Sequence, residues 1–281
     1  MSSAPAASNP ETARSSAGKT RYRSVFISDT HLGTRGARCD FLADFLRSME
    51  CEQLYLVGDI VDGWRLRKSW YWDDQHDEVL RLILAKARGG SEVIYIPGNH
   101  DEMFRAWLPI GLEVAGIQLR REAVHTTQDG RRLLVMHGDE FDSVVRYYKF
   151  LALLGDGAYT VALVVNRYFN ALRRRLGYPY WSLSAWLKRQ VKEAVKAIDR
   201  YEVALAGEAR RRGLDGVVCG HIHHAEMRQV NGVTYMNDGD WVESCTALVE
   251  HTDGRLELLD WAALNRLSFF APRSARLPAT A

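Results

Sequence analysis

Cysteine is scarce. Cys39, Cys51, Cys219 and Cys245 are scattered over 281 residues with no C-x-x-C spacing, a pattern that offers no disulfide framework and reads as reduced thiols in a cytosolic chain. Long apolar runs are missing: the stretch around "YTVALVVN" is far too short to cross a bilayer. The opening "MSSAPAASNPETARSSAGKT" lacks the apolar core of a secretory signal, so residues 1–20 are expected to be a disordered tail and 271–281 a flexible one. An excess of charge of one sign is absent too. The formal balance is +2, which argues against a nucleic-acid partner, and no repeat at solenoid spacing appears. These absences leave a cytoplasmic globular chain, at most peripheral to a membrane, whose 47% apolar residues suffice for a sizeable core.

What is present alternates. "YRSVFISDTHLG" is an apolar strand ending in a polar loop, and "LADFLRSM" follows with helical spacing. "CEQLYLVGDIVDG", "DEVLRLILAKARGG" and "SEVIYIPGNHDE" repeat the order of strand, amphipathic helix and strand. Such βαβ units predict an α/β core with a layered sheet. After about residue 115 β patterns dominate, joined by "QDG", "NG" and "DG" turns. Between the β blocks, roughly 143–212 is helical and reads as an insertion within one domain spanning 21–270.

Chemistry concentrates just past the strands. "FISDTHLG" carries Asp29 and His31, "LVGDIVDG" Asp59 and Asp62, "IPGNHDE" Asn99, His100 and Asp101, "VMHGDE" His137 and Asp139, and "VCGHIHH" His221 and His223. In an α/β sheet the loops beyond the strand ends converge on one crevice. Each element alone is weak: Asp-x-His arises by chance, and a single histidine is more often solvated or hydrogen-bonded than a ligand. Five in order, each after a β run, are not. Mixed oxygen and imidazole donors without thiolate suit Mn, Fe, Zn or Mg, and a pair of such ions can activate water and clamp a phosphoryl group.

The order D-x-H, G-D-x-x-D, G-N-H-D, H-G-D, G-H-x-H resembles the calcineurin-like metallophosphoesterase superfamily over about 21–261. That resemblance implies a four-layer αββα sandwich and two divalent ions, usually manganese. It puts Asp29, His31 and His223 on one ion and Asn99, His137 and His221 on the other, with Asp59 bridging. It also implies that His100 serves the leaving oxygen and that Asp62 orients His100. His224 receives no ligand role and reads as a surface residue.

The wording of these loops, with a helical segment before "GHIHH", is similar to the UDP-2,3-diacylglucosamine pyrophosphatase family of lipid A synthesis. This implies cleavage of a nucleotide-lipid diphosphate to UMP and an acylated sugar phosphate, with the insertion acting as a lid over the acyl chains. One position departs: His100 stands where that family has arginine, which leaves another phosphoester as the alternative substrate. The insertion is basic and aromatic, with Arg173, Arg174 and Arg175 among Tyr168, Phe169, Tyr178, Tyr180, Trp181 and Trp186, and suits an anionic membrane surface or an amphiphilic substrate. Its apolar residues equally suit helix packing. Trp64 and Arg65 follow Asp62 closely enough to border the crevice and are candidate substrate contacts, as are Arg173 and Arg174. A metal-bound scaffold without turnover is a further alternative, disfavoured because every motif position is filled.

Overall fold

The computed structural model describes residues 18–141 and 182–270, with positions 168, 169, 173 and 175–177 between them. The alternating pattern builds the first sheet. β1 (Thr20–Ile27), α1 (Cys39–Ser48), β2 (Met49–Val57), a short α2 (Gly63–Lys68), α3 (Asp74–Arg88) and β3 (Glu92–Ile96) follow in order. β1, β2 and β3 pair in parallel, as right-handed βαβ crossovers require. The last four residues of β1 and of β2 are all buried, as befits strands covered on both faces. α3 starts where the Asp73 carboxylate accepts the Gln75 and His76 N–H groups, and stops at Gly89 and Gly90. A 3-10 helix over Glu102–Ile110 and the short β4 (Glu113–Val114) and β5 (Ile117–Leu119) extend one edge. β11 (Thr246–Glu250) and β12 (Leu256–Asp260) pair antiparallel on the other, giving the order β12-β11-β1-β2-β3-β5-β4.

The second sheet runs β6-β7-β8-β10-β9, from β6 (Ala123–Thr126), β7 (Arg132–Val135), β8 (Gly216–Cys219), β9 (Glu226–Val230) and β10 (Val233–Asn237). All three expected turns join antiparallel neighbours: "QDG" lies between β6 and β7, "NG" between β9 and β10, and "DG" between β11 and β12. At the second, Asn231 and Gly232 both have positive φ, 52° and 82°, the backbone a two-residue hairpin with right-handed twist demands.

Phe26, Tyr55, Ile94, Leu133, Val218, Met236 and Leu248 fill the space between the sheets. Leu42, Phe45 and Leu46 of α1 and Val79 and Ile83 of α3 cover the outer face of the first. On the outer face of the second lies α4 (Leu183–Arg211), through Ala197, Tyr201, Leu205, Ala206 and Ala209. The layers are therefore αββα. α5 (Trp261–Phe270) closes the described chain.

Two boundaries change. Thr20, placed in the tail, already pairs with Met49 in β1 and β2. The C-terminal half of α4, counted with the insertion, is an outer layer of the sandwich, because its apolar stripe is buried on β8 and β10. The earlier part of the insertion, 143–167 and most of 170–181, and the 271–281 tail lie outside the described residues. Among the described residues no helix is long and apolar enough to cross a membrane, and all four cysteines are buried free thiols.

At the end of the sandwich away from the ligand loops, Glu250 of β11 is fully buried. It accepts hydrogen bonds from Arg23, from the Gln128 N–H (2.7 Å) and from His125 Nε2 (2.8 Å), which ties the two sheets together. Burial pushes its carboxyl up, but these donors win and hold it below the ordinary glutamate value. The unfolded chain thus binds the extra proton, so this stability is full above the ordinary carboxylate range and falls away as pH drops through the lowered folded-state value. Glu250→Gln should cost roughly 2–3 kcal/mol at neutral pH and less at pH 3, as read from urea midpoints at the two pH values.

Candidate functional site

The parallel strands deliver their loops to one edge. Asp29 and His31 follow β1, Asp59 and Asp62 follow β2, and Asn99 and His100 follow β3, while His137 follows β7 and His221 and His223 follow β8. Backbone bonds stitch these loops together: Asp29 N–H donates to Gly58 C=O (3.0 Å), His31 N–H to Asp59 C=O (3.0 Å) and Trp241 N–H to Asp29 C=O (3.1 Å). Asp29, His31, Asp59, His221 and His223 all have left-handed φ between 47° and 71°. Such a backbone costs of order 1 kcal/mol for each non-glycine residue, and strain gathered in one place marks a site that the rest of the fold holds in shape.

The side chains meet in two groups. In one, His223 Nε2 lies 3.2 Å and His31 Nε2 3.8 Å from Asp29 Oδ1. Asp59, His137 and His221 form the other, and His31, Asp59 and His100 come equally close together where the two groups meet. Asp59 Oδ2 stands between them, 3.5 Å from His137 Nε2 and 4.0 Å from His31 Nε2. Its Oδ1 accepts the His100 N–H at 2.8 Å, and Asp29 Oδ2 accepts the His221 N–H at 2.8 Å. The far nitrogens of two rings are also used: His137 Nδ1–H donates to Val57 C=O (2.8 Å), and His31 Nδ1 lies 3.3 Å from Asp62 Oδ2. Outer partners of this kind fix the tautomer that leaves Nε2 free to coordinate.

The field is strongly negative. Burial lowers the affinity of the His137 ring for a proton, but the charge and hydrogen bond of Asp59, helped by Asp29, push it up to about 10. Burial acts in the same way on His223, and Asp29 raises it to about 9. The converse holds for Asp29 and Asp59, whose burial would raise their carboxyls but whose imidazole neighbours bring them below the usual range. His100 is raised against its burial by Asp62 first and then Asp59. Asp29 Oδ1, Asn99 Oδ1 and His137 Nε2 are buried without a well-aligned hydrogen-bond partner among the described residues. Nitrogen and oxygen donors without thiolate, orphaned and facing one another in a negative field, fit divalent cations.

The other expected residues divide. Asp62 Oδ2 lies 3.1 Å from His100 Nδ1, and the Trp64 ring covers the His100 ring. Arg65 is exposed on α2. Arg173 sits over the Phe169 ring at 5.6 Å, a contact within its own segment, and Arg174 lies outside the described residues. His224 is half exposed and pairs with Glu226 at 3.3 Å.

A family model for calcineurin-like phosphoesterases matches residues 22–225, which span every one of these loops. The chain belongs to the calcineurin-like phosphoesterase family. As a family member it is a metal-dependent phosphoester hydrolase that uses divalent ions. Curated relatives agree: UDP-2,3-diacylglucosamine hydrolase of Neisseria meningitidis is 28% identical over 232 residues, covering 77% of this phosphoesterase and 88% of the relative. The enzyme of the same name from Aliivibrio fischeri is 24% identical, covering 82% and 94%. A solved phosphoesterase from E. coli is far more distant, at 12% identity and a TM-score of 0.40 over 84% of this phosphoesterase and 98% of that chain.

Three further residues support the loops, a role the sequence reading gave to none of them although Asp101 stood among the acids it named. Asp101 is fully buried and accepts the Gly98 N–H (2.6 Å), the Ile60 N–H (2.9 Å) and the Tyr95 O–H (2.5 Å), locking the second ligand loop to the third. Asp238 accepts the Ser28 hydroxyl at 2.6 Å beside Asp29. Tyr201 of α4 reaches the carbonyls of His137 (3.5 Å) and Gly220 (3.4 Å). Asp101 sits inside the quoted "GNHDE" and Asp238 in "MNDGDW", so each had a polar signal directly after a strand; Tyr201 had none. Gly98 is equally constrained, since a Cβ there would collide with Asp59 Oδ1 and the His137 ring. Gly98→Ala should therefore leave a folded phosphoesterase by circular dichroism while elemental analysis finds at least one divalent ion per chain lost relative to the parent.

Proposed function

We propose that Asp29, His31 and His223 hold one divalent ion and Asn99, His137 and His221 a second, with Asp59 shared, and that the enzyme cleaves the diphosphate of UDP-2,3-diacylglucosamine or a related nucleotide-lipid. Manganese suits this donor set, as do iron, magnesium and zinc. The observation that carries the metal reading is the position of Asp59 Oδ2 between the two donor groups. Ions bound there supply Lewis acidity and a water activated near neutral pH. His100 serves the leaving side: Nδ1 lies 3.1 Å from Asp62 Oδ2, and Nε2, 4.0 Å from Asp59 Oδ2, is the nitrogen placed to give a proton to the departing oxygen. The products are UMP and an acylated sugar phosphate.

The substrate reading is supported by the name shared by relatives that cover 77–83% of the chain at 23–28% identity. The basic and aromatic composition of the 143–181 segment supports contact with an amphiphile at an anionic membrane face. A second reading, a phosphodiester of another kind, is favoured by His100 itself, because an imidazole donates a proton to a poor leaving group and arginine does not.

The decisive assay incubates purified, manganese-loaded protein with UDP-2,3-diacylglucosamine and separately with bis(4-nitrophenyl) phosphate, with Asp59→Ala as the blank. UMP release at least a hundredfold above the blank is expected. Cleavage of the aryl ester alone would move the substrate to another phosphodiester, and turnover by Asp59→Ala equal to the parent's would remove the shared-carboxylate assignment.

A further inference from the structure

His100 is held on every side but one. Its N–H donates to Asp59 Oδ1 (2.8 Å), and its carbonyl accepts the Gly63 N–H (3.0 Å). Nδ1 lies 3.1 Å from Asp62 Oδ2, and the His31 ring stands perpendicular to it at 4.6 Å. The Trp64 ring packs over it, with centroids 4.3 Å apart and planes tilted by 36°. That indole is itself anchored: Trp64 Nε1–H donates to Glu102 Oε1 at 3.3 Å, and Met103 packs against the neighbouring Gly63. The anchor matters because Trp64 is 40% exposed and would otherwise be free to change rotamer.

We propose that Trp64, fixed by Glu102, is a positioning residue for His100 and sets the direction of Nε2. This deepens the function above and rests on His100 acting at the leaving oxygen. A single charged contact at Nδ1 leaves the imidazole free to rock about the axis through that contact; an aromatic wall packed over the ring and the perpendicular His31 ring beside it remove that freedom. Trp64 therefore acts through His100, and its value depends on how much the leaving group needs a proton.

The test compares two diesters on the metal-loaded enzyme. Bis(4-nitrophenyl) phosphate loses a stable phenolate that needs no proton, whereas the methyl ester of UMP must lose an alkoxide. Trp64→Ala should lower kcat for the UMP ester by about tenfold or more with KM little changed, and alter kcat for the aryl ester by less than about twofold. Trp64→Phe, which restores a flat wall, should recover most of the loss, and Glu102→Ala should fall between. A second readout is independent of turnover: in the diamagnetic zinc-loaded protein, the carbon-bound ring protons of His100, displaced by the indole ring current, should move in the NMR spectrum on Trp64→Ala. A rise in KM with kcat intact, or a loss equal for both esters, would overturn the proposal and make Trp64 a substrate contact. If His100→Ala itself slows both esters equally, the role of His100 at the leaving oxygen fails first, and that outcome is distinct from failure of the Trp64 assignment.

Discussion

Asp29 and Asp59 are buried almost completely, side by side, and the rest of the catalytic edge follows from that constraint. Two desolvated carboxylates repel one another strongly in a medium of low dielectric, so each oxygen needs a fixed donor or a cation. One oxygen of each receives a backbone N–H from another ligand loop, His221 for Asp29 and His100 for Asp59. The second oxygens point at imidazoles and at one another's surroundings, where only positive charge can finish the job. To bring backbone donors that close, the loops must turn sharply, which is why five acid and histidine positions take left-handed φ and why a glycine precedes two of them, Asp59 and His221. The strain is tolerated because Asp101, Asp238 and Tyr201 clamp the loops from outside.

The strand and helix order of the first sheet was legible because apolar runs of strand length and amphipathic runs of helix length are physically distinct signals, and Gly89-Gly90 marked where α3 stops, whereas its start at Asp74 behind the Asp73 cap lies before the run that the pattern picked out. The candidate ligands were legible because residue type and position after a strand suffice to nominate them. The clamps were harder. Tyr201 touches His137 and Gly220 across the fold through carbonyl oxygens, and a buried tyrosine in an amphipathic helix looks the same whether its hydroxyl is idle or bound. α4 posed the same difficulty at larger scale. A helix laid on a sheet and a helix laid over a substrate both need one apolar face, so periodicity cannot separate an outer layer from a lid; only the burial of Ala197, Leu205 and Ala209 does.

The position of His100 bears on how the substrate is chosen. In the family this chain resembles, arginine at that corner would supply a permanent positive charge but no transferable proton. Cleavage of a diphosphate asks for little more than charge, since the departing group is a phosphate whose second pKa is about 6. Cleavage of an alkyl ester asks for the proton as well. A histidine whose proton affinity Asp62 and Asp59 raise against its burial can carry charge and also give up a proton, so this corner is compatible with either kind of leaving group. Selection among substrates is then left to groups outside these buried loops, of which Arg65, exposed on α2 three residues from Asp62, is one. The buried loops have little room to discriminate, because their geometry is dictated by the sandwich and by the donors that each carboxylate must keep.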